Sequence, residues 1–168
     1  MGIQGLHHNA YRCRDSEETR RFYEGFLGLP LAGTLEIGET KSGHKTDTLH
    51  TFYRLGDGSF LAFFEAPDMP FEFKAQHDYD LHIALEVERA TLDAMLAKGR
   101  AAGVETRGIS DHGFIHSIYF RDPNGYVIEL TAKVPARHDD AMDPAKNSAR
   151  TKLDRWQSAK RPATAAKA

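Results

Sequence analysis

The chain has 168 residues, enough for one domain with a real core and too few for two large independent ones. Its 22 basic and 24 acidic side chains nearly cancel, which argues against an electrostatic nucleic-acid binder. A single cysteine, Cys13, excludes an internal disulfide framework, no apolar run reaches membrane-spanning length, and MGIQGLHHNAYRC lacks a charged-then-apolar leader. The expectation is a soluble cytoplasmic protein with neither a nucleic-acid nor a membrane partner.

Residues 3–14 read as a strand. Asp15 then suits a helix N-cap, with Glu18 three residues on completing a capping-box pattern. Phe22, Tyr23, Phe26 and Leu27 supply a helical apolar stripe that Gly28 closes. Strands follow at 31–37, 46–55 and 59–65, the last two divided by the turn Gly56-Asp57-Gly58. The segment APDMPFEFKAQHDYD breaks the pattern and links two units.

After it the plan repeats. Residues 81–88 alternate as a strand, and 90–102 carry Leu92, Met95 and Leu96 at helical spacing before Gly103. Strands are expected at 104–109, 114–121 and 126–133. The halves keep step, since His8 lies 20 residues before Gly28 and His82 lies 21 before Gly103. A strand-helix-three-strand unit used twice makes an α+β domain of residues 1–133, with modules at about 3–66 and 79–133.

Residues 134–168 form a polar tail with eight basic and four acidic side chains, a weak case for nucleic-acid contact. Leu153 and Trp156 in NSARTKLDRWQ are expected to pin a short helix onto the body, and RPATAAKA to be disordered.

Side chains alternate across a strand, so parity separates the faces. In GYVIELTA, Tyr126, Ile128 and Leu130 share one face, leaving Glu129 on the other. In LHIALEV, Leu81, Ile83, Leu85 and Val87 share one face, and His82 lies opposite. The turn DPNG suits a type I turn with a G1 bulge, which pairs Asp122 with Tyr126 and therefore Tyr119 with Glu129. By that register His116 points to the other face, while His112 precedes regular pairing.

A lone strand glutamate is more often a solvated residue on a wet sheet face, and a lone strand histidine a hydrogen-bonded structural one. Recurrence shifts the balance, because His8 occupies in the first unit the place of His82 in the second. Two histidines and a carboxylate form a set that binds a divalent metal and leaves positions open. His7, adjacent to His8, must face the other way.

The segment LHHNAYRCRDSEETRRFYEGFLGLPL resembles the opening of the vicinal oxygen chelate superfamily, and DLHIALEV and FRDPNGYVIEL resemble its second-half strands. The resemblance implies two βαβββ modules forming a cup-shaped mixed sheet around a divalent metal, with His8, His82 and Glu129 as metal ligands. It also implies a homodimer, in which His8 could come from a different chain than His82 and Glu129. Ala62 stands where glyoxalase I would place a fourth ligand.

His112, Ile118, Tyr119, Asp122, Pro123, Gly125 and Glu129 match the order and spacing of the extradiol dioxygenase signature. That resemblance implies Fe(II)-dependent cleavage of a catechol-type aromatic by O2. His112 and Tyr119 would be the catalytic groups near bound substrate. The alternatives are a thiol transferase of the fosfomycin-resistance type, a glyoxalase-type isomerase, with Mn(II), Zn(II) or Ni(II) in place of iron, or a non-catalytic small-molecule binder. For a phosphonate pocket Arg12, Arg54 and Arg121 are the candidate cations. His77 is assigned to the surface, and Phe60, Phe64 and Tyr53 are either pocket walls or ordinary core.

Overall fold

The computed structural model describes residues 2–160. Two four-stranded mixed sheets make up the body. The first orders β1 (His8–Arg12), β4 (Phe60–Glu65), β3 (Lys45–Arg54) and β2 (Leu31–Glu39). The second orders β5 (His82–Glu86), β8 (Val127–Lys133), β7 (Ile115–Arg121) and β6 (Thr106–Asp111). Each outer strand β1 or β5 runs parallel to its neighbour, and every other pairing is antiparallel. Each module is thus a βαβββ unit, as the repeat in the sequence predicts.

The first helix, α1 (Ser16–Arg20), starts where Asp15 accepts the Glu18 N–H at 2.7 Å. It continues as a π-helical turn, Arg21–Phe26, marked by the Leu27 N–H reaching the Phe22 carbonyl. The turn carries Phe22, Tyr23 and Phe26 inward together, a register that simple helical spacing does not reveal. Its counterpart α2 (Arg89–Ala101) comes so close to β7 that a Cβ on Gly99 would lie 2.5 Å from the Phe120 ring.

The helices cover the faces bearing Leu61, Phe63, Ile83, Ile118, Ile128 and Leu130, and these make one core with Tyr23, Tyr53 and Phe120. Tyr53 is fully enclosed beside Tyr23 and Phe63, so its reading as a pocket wall is replaced by one of core packing. Phe26 meets Phe120 edge-on at 5.2 Å across the two modules.

Polar bonds then lock the modules through the β7–β8 turn. Tyr23 Oη donates to Asp122 Oδ2 at 2.9 Å, Arg14 N donates to Asn124 Oδ1, and Tyr126 Oη donates to the Arg12 carbonyl. Gly125 in that turn has φ +97°, and a Cβ there would lie 2.3 Å from the Lys74 carbonyl oxygen.

The tail departs from expectation. Residues Pro135–Met142 form a helix, α3, with proline at its first turn, where a missing N–H costs nothing. The second tail helix, α4 (Ala149–Ala159), has no buried residue, with Leu153 50% and Trp156 67% exposed. It is not pinned to the body, because nothing among the described residues covers its apolar side. The expectation for RPATAAKA lies outside the described residues. No helix among those described is long and apolar enough to cross a membrane.

Candidate metal centre

The β7–β8 register pairs Tyr119 with Glu129, as the turn chemistry predicts. Along β5 and β8, His82 pairs with Val127 and Ala84 with Glu129, so His82 and Glu129 share a face two residues out of step. Their side chains meet: His82 Nε2 lies 3.3 Å from Glu129 Oε2. Glu129 is 5% exposed and has no other ionic partner among the described residues.

His82 Nδ1 lies 2.6 Å from the Asp78 carbonyl oxygen, an acceptor only, so Nδ1 must carry the proton it donates. The Nε2 lone pair of the neutral ring is then aimed at a carboxylate oxygen. That repulsion is relieved by a cation, either a proton on the ring or a metal ion between the groups. Two adjacent ligands, each about 2.1 Å from one ion, stand about 3 Å apart. The observed donors and spacing therefore fit a divalent cation.

His8 is elsewhere. It lies on the exposed face of the first sheet, with its Nδ1 2.8 Å from His7 Nδ1 and its ring 5.6 Å from that of Phe52. Among the described residues of one chain, no group of three His, Cys, Asp or Glu side chains gathers at a metal-binding distance. His8 nevertheless has the place its parity assigned. It pairs with Phe60, and Ala10 pairs with Ala62, as His82 pairs with Val127 and Ala84 with Glu129. Ala62 is thus the counterpart of Glu129 and leaves the first module without a carboxylate there. Phe60 and Phe64 share this sheet face with His8.

Around Glu129 the second module adds polar groups. Tyr119 and His112 are in contact, with Tyr119 Oη 2.9 Å from His112 Nε2. Burial, and then the nearby Glu129 charge, raise the Tyr119 hydroxyl above its usual range. The phenol therefore stays protonated at neutral pH and shares a hydrogen bond with the imidazole. His116 points away and lies 3.7 Å from Asp111 Oδ1. His77 is exposed and holds only its own turn, accepting the Tyr79 N–H.

Arg107 was not among the candidate cations. It pairs with Tyr119 across β6–β7, lays its guanidinium 5.1 Å from the phenol ring centre, and bonds both Asp78 carboxylate oxygens at 2.8 and 3.0 Å. A break in register between Gly108 and Ser110 hides this in the sequence, because counting alternate residues back from His112 crosses it and reverses the face. Of the cations that were considered, Arg12 and Arg121 do other work. Arg12 bonds the Ala66 and Met69 carbonyls, and Arg121 bonds Glu105 and the Gln76 and Gly125 carbonyls.

Asp78 thus joins two elements of the site. Its carboxylate is held by Arg107, which keeps it below the usual carboxylate range, and its carbonyl orients His82. Replacing Arg107 with alanine should loosen that carbonyl and weaken divalent-metal affinity by about tenfold, measured by titration calorimetry. Unchanged affinity would show that the Asp78 turn holds its place unaided.

Paired βαβββ modules with metal-competent side chains on their open sheet faces define a class of small metal-site proteins. The chain belongs to the Glyoxalase/Bleomycin resistance protein/Dioxygenase superfamily, whose family model matches residues 5–130. It is 28% identical over 139 residues to the metallothiol transferase FosB of Shouchella clausii, covering 76% of this chain and 80% of that protein. A solved structure of the fosfomycin resistance protein FosX from Listeria monocytogenes, complexed with Mn(II) and sulfate, is similar at TM-score 0.57 and 21% identity, covering 82% of this chain and 98% of that one. A glyoxylase/bleomycin resistance protein/dioxygenase domain from Frankia sp. EAN1pec reaches TM-score 0.63 at 19% identity, covering 82% of this chain and 97% of that one. At these identities the structural likenesses establish the fold. The named relatives include fosfomycin-resistance proteins and no extradiol dioxygenase, so the expected closeness to ring-cleaving enzymes is not supported.

Proposed function

We propose that the protein is a divalent-metal-dependent enzyme of the fosfomycin-resistance type, which opens an anionic, oxygen-bearing small substrate by adding a thiol or water. The observation that carries this reading is Arg107, a fixed cation over the Tyr119 ring on the face bearing Glu129. A catechol has no need of it; a phosphonate or similar anion does. The sequence likeness to a metallothiol transferase points the same way.

His82 and Glu129 of one copy would hold the metal with His8 of a second, because one chain presents the two parts on separate open sheet faces. A divalent ion there supplies Lewis acidity to bound substrate oxygens. Arg107 would hold the anionic end through the N–H groups that Asp78 leaves free, and the protonated Tyr119 donates a hydrogen bond to a substrate oxygen. His112, in contact with Tyr119 Oη, would donate its Nε2–H to that oxygen and so leave the phenol proton for the substrate.

The contact between His112 and Tyr119, in the spacing of the ring-cleavage signature, keeps a second reading: Fe(II)-dependent extradiol cleavage of a catechol with O2. One experiment separates them. The Mn(II)-loaded protein is incubated with fosfomycin and either cysteine or water alone, and the phosphorus NMR spectrum is followed. In parallel, the anaerobically Fe(II)-loaded protein is given a panel of catechols and then air. A thiol adduct or diol is the expected result. A yellow ring-fission product without either would replace the first reading with the second, and no product in either arm would sink both.

A further inference from the structure

Beside Leu27 and Leu29 after the first helix and Thr91 and Met95 of α2, the two modules leave a groove of about 660 Å³. Leu27, Leu29, Leu61, Leu85, Met95 and Leu130 form its floor and walls. Its charged lining residues are all acidic, namely Asp57, Glu86 and Glu88. Glu86 pairs with Lys133 at 2.7 Å, whereas Asp57 and Glu88 meet no cation among the described residues.

The complement of this groove is carried on α4. Ala149, Leu153 and Trp156 fall at i, i+4 and i+7 along it, one apolar stripe on a helix with no buried residue. Around that stripe stand Arg150, Lys152 and Arg155 against the single acid Asp154, which Arg150 already pairs at 3.0 Å. Lys152 and Arg155 therefore have no carboxylate partner among the described residues.

We propose that α4 of one chain docks into this groove on a second copy. Leu153 and Trp156 enter the apolar floor, while Lys152 and Arg155 meet Asp57 and Glu88 on the rim. Three observations select this occupant. The apolar stripe and the apolar floor are each uncovered among the described residues of one chain, the charges at their borders are opposite in sign, and the groove's lining includes no residue of its own α4. A helix laid in a groove by i/i+4/i+7 anchors is a recurrent mode of recognition, and a volume within about 300–1,000 Å³ accepts two large side chains. The contact does not depend on the metal-site reading, because none of its residues is a proposed metal ligand, although Ala84 and Glu86 of the lining share the strand face of His82.

Trp156 is the sole tryptophan, so its fluorescence reports on α4 alone. The full chain would be diluted across its dimerisation range, with emission followed beside sedimentation velocity. The expected result is a blue-shifted, quencher-protected Trp156 in the dimer that becomes solvent-exposed in the monomer. Asp57→Lys with Glu88→Lys should weaken the dimer by about tenfold, and Lys152→Glu with Arg155→Glu on the same chain should restore it. Emission typical of exposed indole at every concentration would overturn the proposal. So would a blue shift that persists in the monomer, which means docking on its own chain, or one that appears only with anionic phosphatidylserine vesicles. Failure of the charge swap to restore association would overturn it as well.

Discussion

Replacing Glu129 with alanine is expected to lower divalent-metal affinity by more than about a hundredfold while leaving the metal-free fold intact. The carboxylate is 5% exposed, and its ionic contact among the described residues is His82 at 3.3 Å. In the metal-free protein a buried carboxylate facing a nitrogen lone pair costs stability, so its removal should be neutral or mildly stabilising. With metal the sign reverses. A ligand at a hundred times its dissociation constant stabilises the native state by about 2.7 kcal/mol, and the alanine variant should lose that increment. Thermal unfolding with and without Mn(II) reads both effects. A metal-dependent shift that survives in Glu129→Ala would remove this residue from the site. Loss of native circular dichroism without metal would instead give it a structural role.

Glu129 was legible because two local rules agree on it. Alternation along GYVIEL puts it on the face away from Ile128 and Leu130, and the geometry of DPNG puts Tyr119 across from it. Both depend on backbone chemistry within twenty residues, and the pairing of β7 with β8 bears them out. The two βαβββ modules were legible for the same reason, since turn glycines and apolar periods recur at matched spacing. Arg107 escaped because the register break in β6 reverses parity between His112 and the strand. The separation of His8 from His82 was allowed for in the sequence but not required by it. Alternation says which face a side chain takes, not what lies opposite that face, and here one chain leaves both faces open. The tail shows the same limit. Its amphipathic period predicts a helix and α4 forms, yet the period cannot say that its apolar stripe is left bare on its own chain.

The turn that sets the Tyr119–Glu129 register also ties the modules together, and removing Asp122 is expected to show how much depends on it. Asp122 is 4% exposed; its Oδ1 accepts from the Asn124 and Tyr126 backbone N–H groups, and its Oδ2 accepts from Tyr23 Oη and Asn124 Nδ2. Asp122→Ala strands four buried donors, of which Tyr23 Oη comes from the other module. Stability to urea should fall by about 3 kcal/mol, with part of the loss shared by the Phe26–Phe120 contact that the tie supports. Asp122→Asn keeps the shape and an oxygen for the two N–H groups, so it should lose less. It should also change the pH dependence. Burial raises the Asp122 carboxyl above its ordinary range, with the hydrogen bonds it accepts opposing the rise. Between the ordinary carboxylate value and that raised one, the native state holds more proton than the unfolded chain. The contribution of this group to stability therefore declines as pH rises through that window and is level above it. Asparagine cannot titrate, so the variant should lack this decline when unfolding free energy is measured from acid to neutral pH. A slope identical to the parent's would mean that the acid dependence belongs to other carboxylates and that Asp122 acts through its hydrogen bonds alone.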